Sequence, residues 1–327
     1  MILVTGGAGY IGSQTVRALE RAGYEPLIFD DFSTGHRDFV ARVPLVEGDL
    51  RRPDDIREAF RKFPIDGVIH FAGKALVGES CENPALYYDS NVVGGLNLLR
   101  AMADAGVARL IFSSTCATYG MPQTEVIRED HPQRPINPYG ETKLALERAM
   151  HWFGEAHGIA WLALRYFNAA GADADGLSGE DHDPETHLIP LVLEAAAGIR
   201  PEARIFGSDY PTPDGTCVRD YIHVVDLADA HVEGLLRLID GTVASQVLNL
   251  GTGQGASVRE VIDVCREVSG RDFRVVDSPR RPGDPPRLVA AADRAREALG
   301  WTASHSDLRE IIGTAWRWLV RRRGLEG

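Results

Sequence analysis

The chain opens with a short apolar run, Ile2–Val4, that leads directly into three glycines spaced three residues apart, Gly6, Gly9 and Gly12. Such glycines allow a tight turn from strand to helix, let the backbone approach a pyrophosphate and let the helix pack close to the sheet. The amphipathic stretch Ile11–Arg21 follows at once. This opening predicts a dinucleotide-binding βαβ unit, and its alternative is a glycine-rich turn without a ligand.

The rest of the first half continues this alternation of apolar runs and amphipathic stretches. The runs are Ile2–Val4, Pro26–Phe29, Val43–Val46, Gly67–Phe71, Leu110–Phe112 and Trp161–Tyr166. The amphipathic stretches between them are Ile11–Arg21, Pro53–Arg61, Pro84–Ala105 and Tyr139–His157. Strands that alternate with helices indicate βαβ units and a parallel sheet. We therefore predict an α/β fold with a doubly wound parallel (Rossmann) sheet.

The composition of the sequence changes after Asn168. The segment that follows, Ala169–Glu185, is rich in Gly, Asp and Ala and is predicted to be a loop. We predict an NAD-binding domain over residues 1–168 and a smaller α/β substrate domain over residues 169–327. The boundary is soft because residues 224–251 resemble another helix–strand unit that can rejoin the main sheet.

Composition excludes several classes of protein. The formal net charge of −12 argues against a nucleic-acid binder, which needs a basic surface. The cysteines at 81, 116, 217 and 265 have neither zinc-site nor disulfide spacing, so we expect reduced thiols and a cytoplasmic protein. The MILVTGG opening has no charged segment before an apolar stretch, and no apolar run reaches membrane-spanning length, so we expect neither a signal peptide nor a membrane span.

Asp30 ends the second apolar run, 18 residues after Gly12. A carboxylate at this place accepts hydrogen bonds from both adenosine ribose hydroxyls and repels a 2′-phosphate. The predicted cofactor is therefore NAD rather than NADP, and the alternative is a strand-end Asp that caps the next turn. Asp49 follows the third run, at a place where its side chain can contact the edge of an adenine.

A Thr, a Tyr and a Lys suggest the chemistry. Thr115 follows the run Leu110–Phe112, and Tyr139 and Lys143 share one helix face because they lie four residues apart. We expect Lys143, the helix start and a nicotinamide cation together to lower the phenol pKa from about 10 by roughly three pH units, which requires about 4 kcal/mol. Tyr139 would then act as a general base on a sugar hydroxyl that Thr115 positions.

The sequence resembles the extended short-chain dehydrogenase/reductase family, and most closely its branch that epimerises C4 of UDP-hexoses. The resemblance runs nearly from end to end. The segments that carry it are VTGGAGYIGS, VIHFAG, VGES, YYDSNVVG, IFSSTCATYG, PYGETKLALE, LRYFNAAGA, THLIP, IFGSDYPTPDGTCVRDYIHVVDLADAH, LNLGTGQG and RRPGDPP. It implies an NAD-dependent isomerase that interconverts UDP-glucose and UDP-galactose by transient oxidation at C4, with NAD that need never leave.

The resemblance also implies a role for each matching position. The catalytic residues are Thr115, Tyr139 and Lys143. Residues expected at the cofactor are Gly6, Gly9, Tyr10, Ile11, Gly12, Asp30, Asp49, Leu50, Phe71, Ala72, Gly73, Asn91, Tyr139, Lys143 and Phe167. Residues expected at the substrate are Thr115, Asn168, His187, Leu188, Phe206, Arg219, Arg281, Asp284 and Leu288. Arg219 and Arg281 suit a diphosphate clamp.

Some positions depart from the family pattern. Thr115 stands where many members have Ser, and His187 stands where some have Asn. Lys74 lies one position before the usual cofactor-contacting Lys and is left out of the cofactor set. Leu288 occupies the position that gates the space around the sugar's 2-substituent, where strictly hexose-specific members have Tyr. We therefore expect some activity on UDP-N-acetylhexosamines.

Competing functions remain open from the residues alone. One is a 4-epimerase of another nucleotide sugar, such as a pentose or a uronic acid, and another is a non-catalytic NAD-sensing regulator. A 4,6-dehydratase is disfavoured because Cys116 and Ala117 follow Thr115 where acidic residues would be needed. The resemblance suggests a homodimer, with Pro84–Ala105 and Tyr139–His157 as interface helices.

Histidines and acidic residues also alternate near the end of the predicted loop. His182 and His187 flank Asp183 and Glu185, a combination that superficially suggests a metal site. The Gly- and Asp-rich context favours solvated loop residues, and the expected mechanism needs no metal.

Overall fold

Strands and helices alternate through the structure, a computed structural model that describes residues 1–281 and 283–325. The strands are β1 (Ile2–Thr5), β2 (Pro26–Asp30), β3 (Leu45–Glu47), β4 (Gly67–His70), β5 (Arg109–Thr115), β6 (Ala160–Tyr166), β7 (Asn168–Ala170), β8 (Ala203–Phe206), β9 (Val218–Arg219), β10 (Tyr221–His223), β11 (Gln246–Leu250), β12 (Ala256–Ser257), β13 (Val275–Ser278) and β14 (Arg287–Leu288).

The helices pack on both faces of the main sheet and form much of the second half. They are α1 (Tyr10–Arg21), α2 (Pro53–Lys62), α3 (Val77–Glu82), α4 (Pro84–Tyr87), α5 (Gly94–Ala105), α6 (Pro138–His157), α7 (Leu188–Ala196), α8 (Val224–Ile239), α9 (Val258–Ser269), α10 (Asp293–Leu299) and α11 (Leu308–Arg323). None of the helices within the described residues is long and apolar enough to cross a membrane.

The main sheet has seven parallel strands in the order β11-β6-β5-β4-β1-β2-β3. Every residue of β1, β2 and β4 is buried, which is typical of parallel strands covered by helices on both faces. The order reverses direction at β1, whose Thr5 is level with Phe29 on one side and His70 on the other. Ligands of such sheets bind outside the strand carboxyl ends at this reversal. The predicted doubly wound fold is confirmed.

Strand β11 returns to the main sheet after α8. It pairs in parallel with β6 from Gln246 to Leu250, so the helix–strand unit expected at residues 224–251 lies on the edge of that sheet. The division of the chain into domains at residue 168 stays a prediction.

The second half gathers short strand pairs and helices around its own core. The strand groups are β10–β7, β12–β9–β14 and β13–β8. The core includes Ile189, Leu193, Ile262 and Ile311, which come from α7, α9 and α11. Strands β8 and β13 pair side by side, so the segments that follow them lie near each other, where Arg280 contacts Asp209.

Two predicted elements differ from the structure. Pro84–Ala105 is not a single α-helix, because a π-helical segment, Tyr88–Val93, separates α4 from α5. The wider turn places Asn91 inward, where it binds the backbone of Lys74. The predicted loop Ala169–Glu185 begins inside β7, because Asn168–Ala170 pairs with β10.

Candidate active site

Thr115 and Tyr139 meet where β5 ends and α6 begins. Thr115 is the last residue of β5, and its Oγ1 accepts a hydrogen bond from the N–H of Ala117, 3.1 Å away. Gly140 lets the helix start lie directly on this turn, since a Cβ there would come within 2.5 Å of the Ala117 carbonyl oxygen. The Tyr139 phenol thereby lies beside the Thr115 side chain, which favours its ionised form.

Lys143 lies one helical turn further along α6. Its Nζ donates to the Ser113 carbonyl oxygen at 2.9 Å and stands 4.9 Å from the centre of the Phe112 ring. Burial lowers the pKa of Lys143 to about 8, although the Glu147 carboxylate opposes this shift. The ammonium is therefore held in an apolar pocket by strand β5.

The phenol pKa differs from the expectation. Burial raises the pKa of Tyr139 above its usual value, and the neighbouring Thr115 side chain opposes that rise. The protein's own groups thus do not produce the predicted lowering. The physical reason is desolvation, which disfavours the phenolate more strongly than the surrounding groups favour it. Of the three causes expected to lower the phenol pKa, the nicotinamide cation is the one that comes from outside the protein.

A buried ion pair supports this cluster, and sequence reasoning missed it. Glu147 lies four residues after Lys143 on α6 and accepts from Arg165 Nε of β6 at 2.9 Å. Ser114 of β5 also donates to Glu147. The spacing of Tyr139, Lys143 and Glu147 is a signal that could have found it, because residues four apart share a helix face.

The glycine-rich turn has the tight geometry that its sequence predicts. A Cβ on Gly12 would lie 2.1 Å from the Gly6 carbonyl oxygen, and Gly6 has a φ of +70°. Gly9 precedes α1, whose first turn starts with Tyr10 and Ile11 and contains no acidic residue. The positive end of this helix is therefore free of a competing carboxylate.

Asp30 lies directly beneath that turn, at the end of β2. Its two carboxylate oxygens accept from the N–H groups of Ala8 at 2.9 Å and Phe32 at 2.8 Å. Burial raises the pKa of Asp30, and these two backbone donors oppose the rise. The carboxylate is thus fixed at the mouth of the turn.

The remaining predicted cofactor positions line the same edge of the sheet. Leu50 is buried, whereas the Asp49 carboxylate is engaged by Arg51 Nε, 3.0 Å from each oxygen. Phe71 packs against His231 at 4.7 Å between ring centres. A Cβ on Gly73 would lie 2.8 Å from Asn91 Oδ1. Ala72 donates its N–H to the Thr5 carbonyl oxygen, and Phe167 is buried beside Tyr119 and Ile127.

Four predicted substrate residues form a second cluster, which we call the nucleotide-side cluster: Phe206, Arg219, Arg281 and Asp284. Arg219 and Asp284 form an ion pair, and the Arg281 guanidinium lies 4.1 Å from the centre of the Phe206 ring. Leu288 is paired in register with Arg219 and packs on the core patch that contains Phe167. Asn168 Nδ2 donates to the Asp220 carbonyl oxygen at 3.2 Å.

His187 and Leu188 are arranged differently. The His187 ring forms a hydrogen bond with Glu180, and Leu188 begins α7 and packs on the core of the second half. The interpretation of these loop residues as solvated is wrong for Glu185, because its side chain is only 6% exposed. The side chain of the nearby Glu180 is also 6% exposed.

Comparison with known proteins decides the family. The sequence model of the NAD-dependent epimerase/dehydratase family matches residues 2–251. This chain belongs to the NAD-dependent epimerase/dehydratase family. It is 51% identical over 317 residues to a UDP-glucose 4-epimerase from Rhizobium leguminosarum bv. trifolii, a match covering 97% of this chain and 96% of the relative.

Two more comparisons agree. A UDP-glucose 4-epimerase from Lacticaseibacillus casei is 48% identical over 97% of this chain and 96% of its own. The crystal structure of a UDP-glucose 4-epimerase from Brucella ovis in complex with NAD superposes with a TM-score of 0.95 at 48% identity, covering 99% of this chain and 98% of that one. The family membership confirms that this chain is an NAD-dependent enzyme.

The residues of the glycine-rich turn suit NAD. The start of α1 offers backbone N–H groups without a competing acidic side chain, as a pyrophosphate requires. Asp30 presents a fixed carboxylate of the kind that binds ribose hydroxyls. NAD is therefore the cofactor that these groups fit.

Proposed function

We propose that this chain is a UDP-glucose 4-epimerase that interconverts UDP-glucose and UDP-galactose. The observation that carries the proposal is the Tyr139 phenol beside the Thr115 side chain, with Lys143 one turn later on α6 and bound to the Ser113 carbonyl oxygen of β5. It occurs in a chain that is 48–51% identical over 97% of its length to relatives named UDP-glucose 4-epimerase.

Side chains of the protein carry out the proton transfer. Tyr139 removes the proton from the O4 hydroxyl of the sugar, and Thr115 holds that hydroxyl in place. The Lys143 ammonium stabilises the phenolate electrostatically, which offsets part of the desolvation. NAD, when bound, would supply a reversible hydride acceptor for C4. Tyr139 returns the proton to O4 at the end of the cycle.

The nucleotide end is held by a separate set of side chains. Arg219 and Arg281 are the cations of the nucleotide-side cluster, and guanidinium groups suit the oxygens of a diphosphate. Asp284 accepts from a ribose hydroxyl. With the diphosphate fixed, the sugar can present both faces of C4 to the same catalytic group.

The test is an assay of purified protein with UDP-galactose, read as UDP-glucose formation without added NAD. We expect turnover in the wild-type chain and its near-complete loss in Tyr139→Phe. Tyr24→Phe is the matched control, because Tyr24 lies between α1 and β2 and has no assigned role. Turnover without added NAD means that the cofactor is retained during purification.

Other outcomes point to the alternatives. Failure of the wild-type chain to turn over UDP-galactose, even with NAD supplied, would contradict the proposal and favour a nucleotide pentose or uronic acid. If Tyr139→Phe kept its full biological effect, an NAD-sensing regulator would be favoured instead.

Activity on UDP-N-acetylhexosamines is a second proposal, carried by Leu288. This side chain is smaller than a Tyr and packs on the buried cluster that contains Phe167 and Tyr119. A UDP-Glc/GlcNAc 4-epimerase from Campylobacter jejuni is 41% identical to this chain with a TM-score of 0.86, over 98% of this chain and 99% of that one. We expect UDP-N-acetylglucosamine turnover to fall in Leu288→Tyr while UDP-glucose turnover persists. No turnover by the wild-type chain would contradict this.

A cytoplasmic homodimer completes the proposal. Large apolar side chains are exposed on α6 and on the π-helical segment before α5: Trp152, Tyr88 and Val93 are 68%, 43% and 42% exposed. Exposed apolar patches on neighbouring helices are typical of association surfaces. Light scattering of the purified protein tests this, and Trp152→Glu should shift a dimer towards monomer.

All four cysteines are unpaired thiols, as suits the cytoplasm.

A further inference from the structure

Four side chains in the segment between β7 and α7 converge on one point. Glu180, His182, Glu185 and His187 lie within eight residues of sequence, and their candidate ligand atoms are all within 4.8 Å of one another. We call them the His/Glu cluster. It lies outside the proposed catalytic cluster of Thr115, Tyr139 and Lys143, and none of its members takes part in the proposed proton transfer.

The distances between the ligand atoms suit a small shared ion. His182 Nδ1 is 3.3 Å from Glu180 Oε1 and 3.7 Å from Glu185 Oε2. His187 Nδ1 is 3.8 Å from Glu185 Oε1 and in closer contact with Glu180. Ligands placed about 2.0–2.2 Å from a tetrahedral zinc ion are separated from one another by roughly 3.3–3.6 Å. Three of the observed separations lie near that range, and the closer His187–Glu180 contact would lengthen around an ion.

A second observation indicates that something belongs between these groups. His182 Nδ1 is buried and has no hydrogen-bond partner, although it faces the carboxylates of Glu180 and Glu185 at short distances. A buried nitrogen without a partner costs free energy. Two nearly buried carboxylates also require positive charge beside them. An ion held at the centre would meet both requirements.

We propose that the His/Glu cluster binds one divalent transition-metal ion of the zinc class, through two imidazole Nδ1 atoms and two carboxylate oxygens. Imidazole nitrogens favour zinc and its transition-metal neighbours over calcium and magnesium, which prefer all-oxygen sites. Two neutral imidazoles and two carboxylates carry a charge of −2, so one divalent ion makes the site neutral.

The position of the site indicates a structural role. The His182 ring meets the Tyr10 ring edge-on at 6.2 Å between centres, and Tyr10 begins α1 at the glycine-rich turn. The Glu180 carbonyl oxygen accepts from Trp318 Nε1 of α11 at 2.9 Å. An ion here fixes a loop that contacts both the cofactor-binding half and the C-terminal helix.

The competing occupant of the centre is a proton on each imidazole. Burial alone would lower the pKa of His182, but Glu180 and Glu185 outweigh burial and raise it to about 10. Two imidazoliums and two carboxylates would also be neutral. The two descriptions differ in one respect: metal binding must displace these protons, so the metal affinity should rise with pH.

The test uses chelator-treated holoenzyme with NAD left in place. Zn²⁺ is titrated in competition with a chromophoric chelator, and Co²⁺ is added separately as a spectroscopic probe. We expect one equivalent of Zn²⁺ per chain, a higher Tm with Zn²⁺, an affinity that rises between pH 6 and pH 8, and the visible absorption of tetrahedral Co²⁺.

Variants distinguish a bound metal ion from ion pairs between protonated imidazoles and carboxylates. His182→Gln and Glu185→Gln should lower the Zn²⁺ affinity by more than about 100-fold, the upper end of what outer-shell changes cost. His157→Gln, at the exposed end of α6, is the matched control and should bind as the wild type does. Lack of stoichiometric Zn²⁺ binding by the wild-type protein, or equal binding by His182→Gln, would overturn the proposal. The Co²⁺ spectrum of the wild type decides the matter if a variant does not fold.

Discussion

The catalytic cluster and the nucleotide-side cluster are built on different kinds of support. Thr115 and Lys143 lie on long elements, β5 and α6, and are 6% and 5% exposed. Arg219 and Asp284 lie on a two-residue strand and a loop, and their side chains are 12% and 28% exposed. A rigid, dry site suits proton transfer, whereas a more exposed set of charges suits binding and release. We therefore expect the first cluster to determine kcat and the second to determine KM.

The largest expected effect comes from removing the catalytic phenol. Tyr139→Phe should lower kcat by about 10²–10⁴-fold, because general acid–base catalysis contributes that much. Its KM should change little, since the nucleotide-side cluster is untouched. Steady-state kinetics with UDP-galactose measures both quantities. A change in KM alone would break the comparison between the two clusters.

The rigid support of the catalytic cluster can be weakened separately. In Glu147→Gln the buried Arg165 loses its anionic partner, and we expect a loss of about 3–5 kcal/mol in the free energy of unfolding. Glu233→Gln removes the partner of Arg237 in a half-exposed pair on α8, and should cost at most about 0.5 kcal/mol. Urea denaturation of both variants measures the difference. Equal losses would mean that burial does not distinguish the two pairs.

The two clusters also differ in how far the sequence alone could predict them. Tyr139 and Lys143 lie four residues apart, and Asp30 follows the glycines within a single βαβ unit, so local periodicity was enough to place them. Arg219 and Asp284 are 65 residues apart, and only the family resemblance linked them. No local pattern specifies contacts of that range, because they depend on how short strands and loops pack.

Other misses have equally specific causes. The π-helical turn at Tyr88–Val93 keeps an ordinary helical sequence pattern, so nothing in the periodicity revealed it. The composition of the segment around Glu180 and Glu185 is that of a solvated loop. In the structure the segment contacts Tyr10 and Trp318, which are distant in sequence, so its local composition does not reveal these contacts. The raised pKa of Tyr139 arises from desolvation, which a sequence does not show.

An intermediate effect is expected from the nucleotide-side cluster. Arg219→Ala removes a charged donor, and hydrogen bonds to charged groups contribute about 1.5–3 kcal/mol, so KM should rise by roughly 10–100-fold. The value of kcat should stay within a few-fold of the wild type. Arg204→Ala, at the exposed position of β8, is the control and should change neither constant. A fall in kcat that matches the rise in KM would mean that Arg219 also acts in the chemical step.

The smallest expected effect is a pH dependence that comes from Lys143. Its pKa is lowered to about 8 by burial, so in the free enzyme the ammonium is present below pH 8 and is lost as the pH rises through that value. In the proposed mechanism the ammonium favours the Tyr139 phenolate, so we expect kcat/KM to fall above pH 8, by at most about tenfold per pH unit.

Lys143→Arg tests the origin of this alkaline limb. Arginine stays charged throughout the range, so the limb should disappear even if the bulkier guanidinium lowers the rate at every pH. Glu147→Gln removes the carboxylate that opposes the lowering of the Lys143 pKa, and it should move the limb to lower pH. An unchanged limb in Lys143→Arg would assign it to another group. The pH dependence of the catalytic cluster would then come from a group other than the buried lysine. Burial would in that case no longer explain why the pH dependence of this cluster differs from that of the nucleotide-side cluster.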